Sequence, residues 1–495
     1  MPESEAPAHT LAEDVPLRQS RLWALQERYF ADQGAAAWSS GAVPLFPTSN
    51  AGVAEAYADV IAAWAEDTGA PVQVVELGAG HGRLGYRCLR ALLRRGVAVR
   101  YTLTDIAQSN VDAWSRHPFL RPYLQQGILR GACHDASAAP PLPDGPLVVI
   151  ANYCFDGLVT DVFRLERGRL QEGRPVLTAP SPITDDPAII DDLSLSFRFH
   201  PVEPEGYYGD AELDGLLGKY RERMGSGTFC FPLGALRGLQ PLLDRKAPTL
   251  LLSVDKGRGH LHSIAGQDTV GFASHGSFSF LVNYDAIAQL YAGRGGGVRL
   301  YGAHLGSLEG GMFWSGQSRC LRTEAEFDAH LAAFSPSDLT TLYHAFRDQE
   351  SLSLSAMLSM LRLSRHDPSV YCALYERVLE EAARSAPRVK RELVAALSVV
   401  WDNAFPIGGR PDTAFAVGRT LHRIGRHAPA LERYQDSLDL TGEHAATCYN
   451  MGLCFHLIGQ DDRARGMLKR ALALDPTFGP ARDRLVLLGG VEASG

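Results

Sequence analysis

Residues 72–85 read VQVVELGAGHGRLG. An apolar, β-branched run ending in Glu76 predicts a strand, the glycines at Gly78, Gly80 and Gly82 predict a tight turn, and a helix is expected to follow. Glycine lets the backbone turn with positive φ and lets a ligand approach the main chain without interference from a Cβ. The helix beyond such a turn points its free N–H groups and the positive end of its dipole at that ligand. The segment is therefore suited to a cofactor with a negatively charged or polar tail.

Two spacings compete within it. Gly80, Gly82 and Gly85 satisfy G-x-G-x-x-G, the dinucleotide fingerprint, which implies NAD or FAD. The spacing acid-x-Gly-x-Gly-x-Gly from Glu76 resembles instead the first motif of class I S-adenosylmethionine-dependent methyltransferases. Glu76 favours the second reading. A carboxylate at the strand's end suits a ligand carrying an ammonium group and repels a pyrophosphate, by a few kcal/mol if desolvated.

Working outward, residues 18–70 carry apolar positions at helical spacing, so a helical N-terminal part is expected. After the glycine turn come a helix near 83–95, a strand VAVRYTLTD ending in Asp105, a helix near 107–116, and GILRGAC leading to His134 and Asp135. PLVVIANY (146–153) is uninterruptedly apolar, as in a strand buried on both faces of a parallel sheet. TLLLSVDKG (249–257) reads the same way, and VRLYGAHL (298–305) is a further candidate strand. Strands alternating with helices predict an α/β fold, a doubly wound Rossmann-like sheet whose ligands gather at the carboxyl ends of the strands. Glu76, Asp105, Asp135, Asn152 and Asp255 fall at those ends.

Residues 181–245 interrupt the alternation with Pro- and acid-rich stretches, which read as an insertion or lid. The expected methyltransferase domain covers residues 1–323, a helical connecting region 324–410, and a repeat region 411–495. In the last, an offset of 34 superposes Gly418 on Gly452, Gly425 on Gly459, Ala430 on Ala464 and Tyr434 on Leu468. A 34-residue helix–turn–helix period resembles the tetratricopeptide repeat, and such stacks present surfaces for peptides or proteins. A plain packing appendage is the alternative.

Composition narrows the class. A net charge of −8 in 495 residues gives no basic footprint, so no nucleic-acid partner is expected. The polar, acidic N-terminus predicts no signal peptide, and no apolar stretch approaches membrane-spanning length. Eight cysteines without a C-x-x-C pair are expected to be reduced thiols of a cytoplasmic protein. His260 and His262 share one face without a third ligand nearby, so no metal is expected. No G-x-S-x-G occurs, which leaves hydrolase chemistry without support.

The resemblance extends beyond the glycine turn. VPLFPTSN ahead of VVELGAGHGRL, then VVIANYCFDG, LLLSVDKG and HGSFSFLVNYDAIAQL occur in order over roughly residues 40–175 and 245–315. Together they are similar to the MidA-like family, which includes the mitochondrial complex I assembly arginine methyltransferase. The resemblance implies S-adenosyl-L-methionine as cofactor, with Glu76 toward its methionine end, directly or through water, and Gly78, Ala79, Gly80 and Gly82 forming the loop around it. It further implies Asp105 with Ile106 at the ribose, Asp135 at the adenine amino group and Asn152 beside the cofactor. Thr48 and Ser49 are then placed at the substrate, although either could simply cap the next helix. Asn152, Tyr153 and Asp156 are the candidate catalytic groups. Tyr153 stands where the family has Glu, which weakens the case for a guanidinium acceptor, since carboxylates hold that group best. The function expected is N- or O-methylation of a protein or peptide, docked on the helical repeats. The alternatives are a methyltransferase-fold assembly protein with reduced catalysis and an NAD-linked oxidoreductase.

Overall fold

The run ending at Glu76 folds as strand β1, Val72–Leu77, buried at every position but Gln73. The computed structural model describes residues 9–33, 46–301, 308–317, 319–349, 351–407 and 412–489. The chain divides into two compact units, residues 1–49 with 53–338 and residues 50–52 with 339–495.

The first unit is built on β1, β2 (Val99–Asp105), β3 (Leu129–Cys133), β4 (Leu147–Asn152), β5 (Thr249–Arg258), β6 (Gly297–Leu300) and β7 (Leu308–Ser315). They lie in the order β6-β7-β5-β4-β1-β2-β3. The five strands from β3 to β5 are parallel, and β7 runs antiparallel to both β5 and β6. A two-residue strand, Val282–Asn283, adds to the end of β5. This is the doubly wound α/β architecture that the alternation predicted. The chain winds outward in opposite directions from β1 and β4, so the crevice at their carboxyl ends is the topological switch point, where such sheets bind ligands. Residues 302–305 of the expected strand at 298–305 lie outside the described residues.

Helices α1 (Arg21–Gln33), α2 (Ala51–Thr68), α3 (Arg83–Arg94) and α4 (Gln108–Arg116) belong to the same part of the chain. Gly85 in α3 shows why a glycine is needed there: a Cβ would sit 2.4 Å from Leu103 and 2.7 Å from Glu76 Oε2. Its absence lets α3 lie directly on β1 and β2.

The interruption begins earlier than its Pro-rich composition suggests. Strands Asp161–Glu166, Arg169–Ala179, Ser194–Pro201 and Gly227–Phe231 form a second, antiparallel sheet joined by His9–Ala12. Helices Ala211–Arg223 and Leu233–Leu243 follow within the same stretch. Proline does not break these strands: Pro175 and Pro201 sit in register opposite Phe197 and Gln171.

The described part of the second unit is helical. Helices Thr413–Arg423 and His427–Thr441 pair, as do Ala445–Leu457 and Asp461–Leu474. The 34-residue offset is visible in the packing. A Cβ on Gly418 would meet Tyr434 at 2.9 Å, and one on Gly452 would meet Leu468 at 3.0 Å. The turn glycines Gly425 and Gly459 take φ of +77° and +79°.

Candidate cofactor and substrate site

The turn after β1 is held by hydrogen bonds to β2. Ala79 N–H donates to Thr104 O at 2.8 Å and Thr104 Oγ1 donates to Glu76 O at 2.8 Å. Gly80 N–H donates to Asp105 Oδ2 at 2.9 Å, while Trp114 Nε1 donates to Gly80 O at 2.8 Å. Gly78 takes φ of +62°, a backbone state that favours glycine, and a Cβ there would only reach ordinary contact with Cys154 Sγ at 3.4 Å. Turn, strand end and α4 therefore form one braced unit.

A cavity of about 380 Å³ opens at the switch point, ample for a small-molecule ligand. Among the sequence-predicted residues, Gly78, Asp105, Ile106, Asp135, Tyr153 and Asp156 line it. Asp105 is buried, which raises its pKa, while N–H groups of Ala107 and Gly80 and the Asn110 amide hold it down. A carboxylate has about four acceptor sites, so capacity remains. Ile106 leaves 52% of its surface exposed, an apolar face on the cavity wall. Asp135 Oδ1 accepts from Ser137 N–H and Oγ, both at 2.8 Å.

Tyr153 and Asp156 follow β4. Tyr153 adopts φ of +47°, an uncommon backbone state for a non-glycine residue, at the point where the chain leaves the sheet. Its phenol is pushed up by burial and by the Asp255 and Asp156 carboxyls, so it stays neutral at physiological pH. Asp255 on β5 builds the turn that carries Asp156. Its Oδ2 accepts from the N–H groups of Cys154, Phe155 and Asp156 at 2.9–3.2 Å, and Oδ1 accepts from Lys256 N–H at 3.0 Å. Burial raises Asp156 to about 6, opposed by Lys256 and by hydrogen bonds to Asp255 and Ser279. Burial and the neighbouring Asp156 likewise raise Asp255.

The remaining predicted residues lie outside the cavity lining. Glu76 is buried and accepts from Tyr101 Oη at 2.7 Å; burial raises its carboxyl to about 8. Its described contacts place it between β2 and α3. Ala79, Gly80 and Gly82 shape the turn through their backbones. Asn152 accepts from Tyr57 Oη at 2.9 Å and donates to Thr48 O at 2.9 Å, which ties the Thr48–Ser49 segment to β4. Ser49 Oγ accepts from Arg83 on α3 at 2.6 Å.

Several lining residues went unnoticed in the sequence. α1 contributes Trp23, Gln26 and Phe30, and the hairpin around residue 278 contributes Ser277, Phe278 and Ser279. Asn110 is 2% exposed and Gln26 5% exposed. Asn110 Oδ1 and Gln26 Oε1 are buried acceptors without a hydrogen-bond partner among the described residues. His134 Nε2 is in the same position, with its imidazole held neutral by burial. Asn110 sits five residues beyond Asp105 in the first turn of α4, so its place at the cavity is legible only once α4 is seen packing on β2.

No family model matches the chain, and no curated protein matches it. Among solved structures, a superfamily member from Burkholderia thailandensis bound to S-adenosyl-homocysteine is similar, with 16% identity, TM-score 0.40 and coverage of 61% of this chain and 96% of that one. An uncharacterized superfamily protein from the same organism gives 15% identity, TM-score 0.39 and coverage of 61% and 95%. The glycopeptide N-methyltransferase MtfA complexed with sinefungin gives 13% identity, TM-score 0.23 and coverage of 52% and 85%.

Proposed function

We propose that this chain is an S-adenosyl-L-methionine-dependent methyltransferase that modifies a nitrogen or oxygen of a protein or peptide side chain or terminus. The observation that carries this reading is the cavity at the switch point, where Asp105 and the unpartnered Asn110 Oδ1 gather beside exposed Ile106 and the glycine turn. Buried acceptors without donors are costly, and ribose hydroxyls or an adenine amino group would satisfy them. The residues fit the cofactor.

When bound, S-adenosyl-L-methionine supplies a methyl group on a positively charged sulfur. The chain's own task is alignment, which in such reactions lowers the barrier by several kcal/mol. With the cofactor in place, Asp105 would accept from the ribose, Ile106 would give the base an apolar surface, and Gly78 would allow close approach. Glu76 acts from beneath, bracing Tyr101 and the turn. Tyr153 and Asp156 face the acceptor: the neutral phenol donates a hydrogen bond, and Asp156, near 6, takes the proton that an N–H or O–H acceptor sheds. Trp23, Phe30 and Phe278 keep water away from that end. The helical repeats, similar to tetratricopeptide repeats, recruit the substrate protein or peptide.

A second reading, an assembly protein with reduced catalysis, is favoured by Tyr153 in the place of an acid and by the full engagement of the Asn152 amide. Incubation with methyl-labelled cofactor and a cell extract separates the two. The enzyme labels a protein band, and Asp156→Asn removes the label. A chain that binds cofactor yet labels nothing is the assembly protein.

A further inference from the structure

The second unit holds a cluster that methyl transfer does not use. His422 lies at the end of helix Thr413–Arg423, His427 opens the helix after the Gly425 turn, and Cys454 lies in helix Ala445–Leu457 of the next repeat. One ligand atom from each falls within 4.8 Å of the others. The imidazole centroids are 5.4 Å apart with planes at 76°, an edge-to-face arrangement rather than a stack. Cys454 is fully buried, and His427 Nδ1 is buried without a hydrogen-bond partner among the described residues.

The internal repeat supplies a control. One period later the positions of His422 and His427 hold His456 and Asp461, and these satisfy each other: His456 Nδ1 lies 2.7 Å from Asp461 Oδ1. The first repeat replaces that acid with a second imidazole and places a thiol beside the pair. One period before Cys454 stands Thr420, which instead shares a hydrogen bond of 2.8 Å with Tyr371. The orphaned nitrogen, the second imidazole and the thiol therefore coincide at one place in the stack.

We infer that the His422, His427 and Cys454 side chains, brought together from two successive helical repeats, bind a zinc ion. Two imidazoles and a thiolate are ligands that zinc takes, at about 2.0–2.1 Å for nitrogen and 2.3 Å for sulfur. Tetrahedral geometry then needs ligand atoms roughly 3.3–3.6 Å apart, so from separations within 4.8 Å the ligand atoms close by at most about 1.5 Å on binding. The Cys454 thiol gives its proton to solvent as the Zn–S bond forms. A water takes the fourth place, since both imidazoles are only half-buried. Joining three helices across a repeat boundary, the ion would stiffen the stack and stabilise it by mass action.

The test uses the full-length chain, reduced, stripped with chelator and dialysed, then titrated with Zn²⁺ against a chromophoric competitor. Cobalt substitution serves as a spectroscopic readout. One equivalent of zinc, a thiolate-to-cobalt charge-transfer band with tetrahedral visible bands, and at least about tenfold weaker binding in His422→Gln and Cys454→Ser support the site. His422 is half-exposed, so His422→Gln keeps the test valid if Cys454→Ser disturbs the fold. Substoichiometric zinc in a chain of ordinary helical content overturns the inference. So does binding unchanged in His422→Gln, because the other cysteines and histidines would then be holding the ion.

Discussion

Asp105 Oδ2 accepts the N–H of Gly80 at 2.9 Å, so the acid that ends one strand fixes the glycine turn that ends its neighbour. Glycine turn and strand-end acid are thus a single construction, and in the function proposed they are the cofactor loop and the ribose acceptor. Asp105→Ala removes both the brace and an acceptor, and S-adenosylhomocysteine affinity is expected to fall by roughly 10–100-fold, or about 1.4–2.8 kcal/mol. Asp105→Asn, which retains one oxygen, should lose less. Isothermal titration of the two variants orders them.

Glu76 makes a prediction about stability. Its carboxyl titrates near 8 when folded, against about 4.3 in an unfolded chain. The folded state therefore binds the extra proton, and the contribution is complete below pH 4, then is lost as pH rises toward 8. Glu76→Gln keeps an acceptor for Tyr101 and has no proton to lose. The melting temperature of wild type should fall relative to Glu76→Gln between pH 5 and 8, measured by circular dichroism. Parallel curves would contradict the buried, protonated carboxyl.

Gly85 allows close packing of helix α3 on the sheet. Gly85→Ala drives a methyl against Leu103 and Glu76, and a loss of about 1–3 kcal/mol is expected from overpacking. Denaturant unfolding reads it, with Gly96→Ala, where a Cβ meets nothing within 4 Å but φ is +73°, as the purely conformational control.

As the base in the proposed reaction, Asp156 should set the pH dependence of turnover. With its carboxyl near 6, kcat/KM for a substrate shedding a proton should rise through that pH and level off above it. Asp156→Asn should abolish the limb and lower the rate by about 10²–10⁴-fold while cofactor binding stays within a factor of a few.

The helical repeats give a paired test. Gly452→Ala places a Cβ 3.0 Å from Leu468, and Leu468→Ala opens the space that this methyl would enter. Each single variant should destabilise the chain, and the double variant should lose less than the sum, since contacting residues couple by 0.5–3 kcal/mol.

Much of the sheet was legible because period and composition agreed there. β4 is an unbroken apolar run and is buried from Leu147 to Ala151, while glycine spacing located the switch-point turn. The second sheet was hidden because the Pro- and acid-rich composition of 181–245 read as an insertion, while the register of its strands is decided by partners far along the chain. At the site, acids ending strands were visible as a class, but their directions were not. Asp105 faces the cavity, whereas Glu76, five residues into the decisive segment, is enclosed by Tyr101 and Gly85. Its place between Tyr101 and Gly85 is set by packing that sequence spacing cannot reveal. Asn110 and Gln26 carried no pattern of their own; tertiary packing alone leaves Asn110 Oδ1 and Gln26 Oε1 without a partner among the described residues.

The central claim is that the cavity at the switch point receives an S-adenosyl nucleoside. Calorimetric titration of the full chain with S-adenosylhomocysteine, run beside Asn110→Leu, tests it most directly. One equivalent should bind to wild type, and the variant should bind at least about tenfold more weakly because the buried acceptor is gone. Absence of binding by the folded wild-type chain, or equal affinity in Asn110→Leu, would contradict the account.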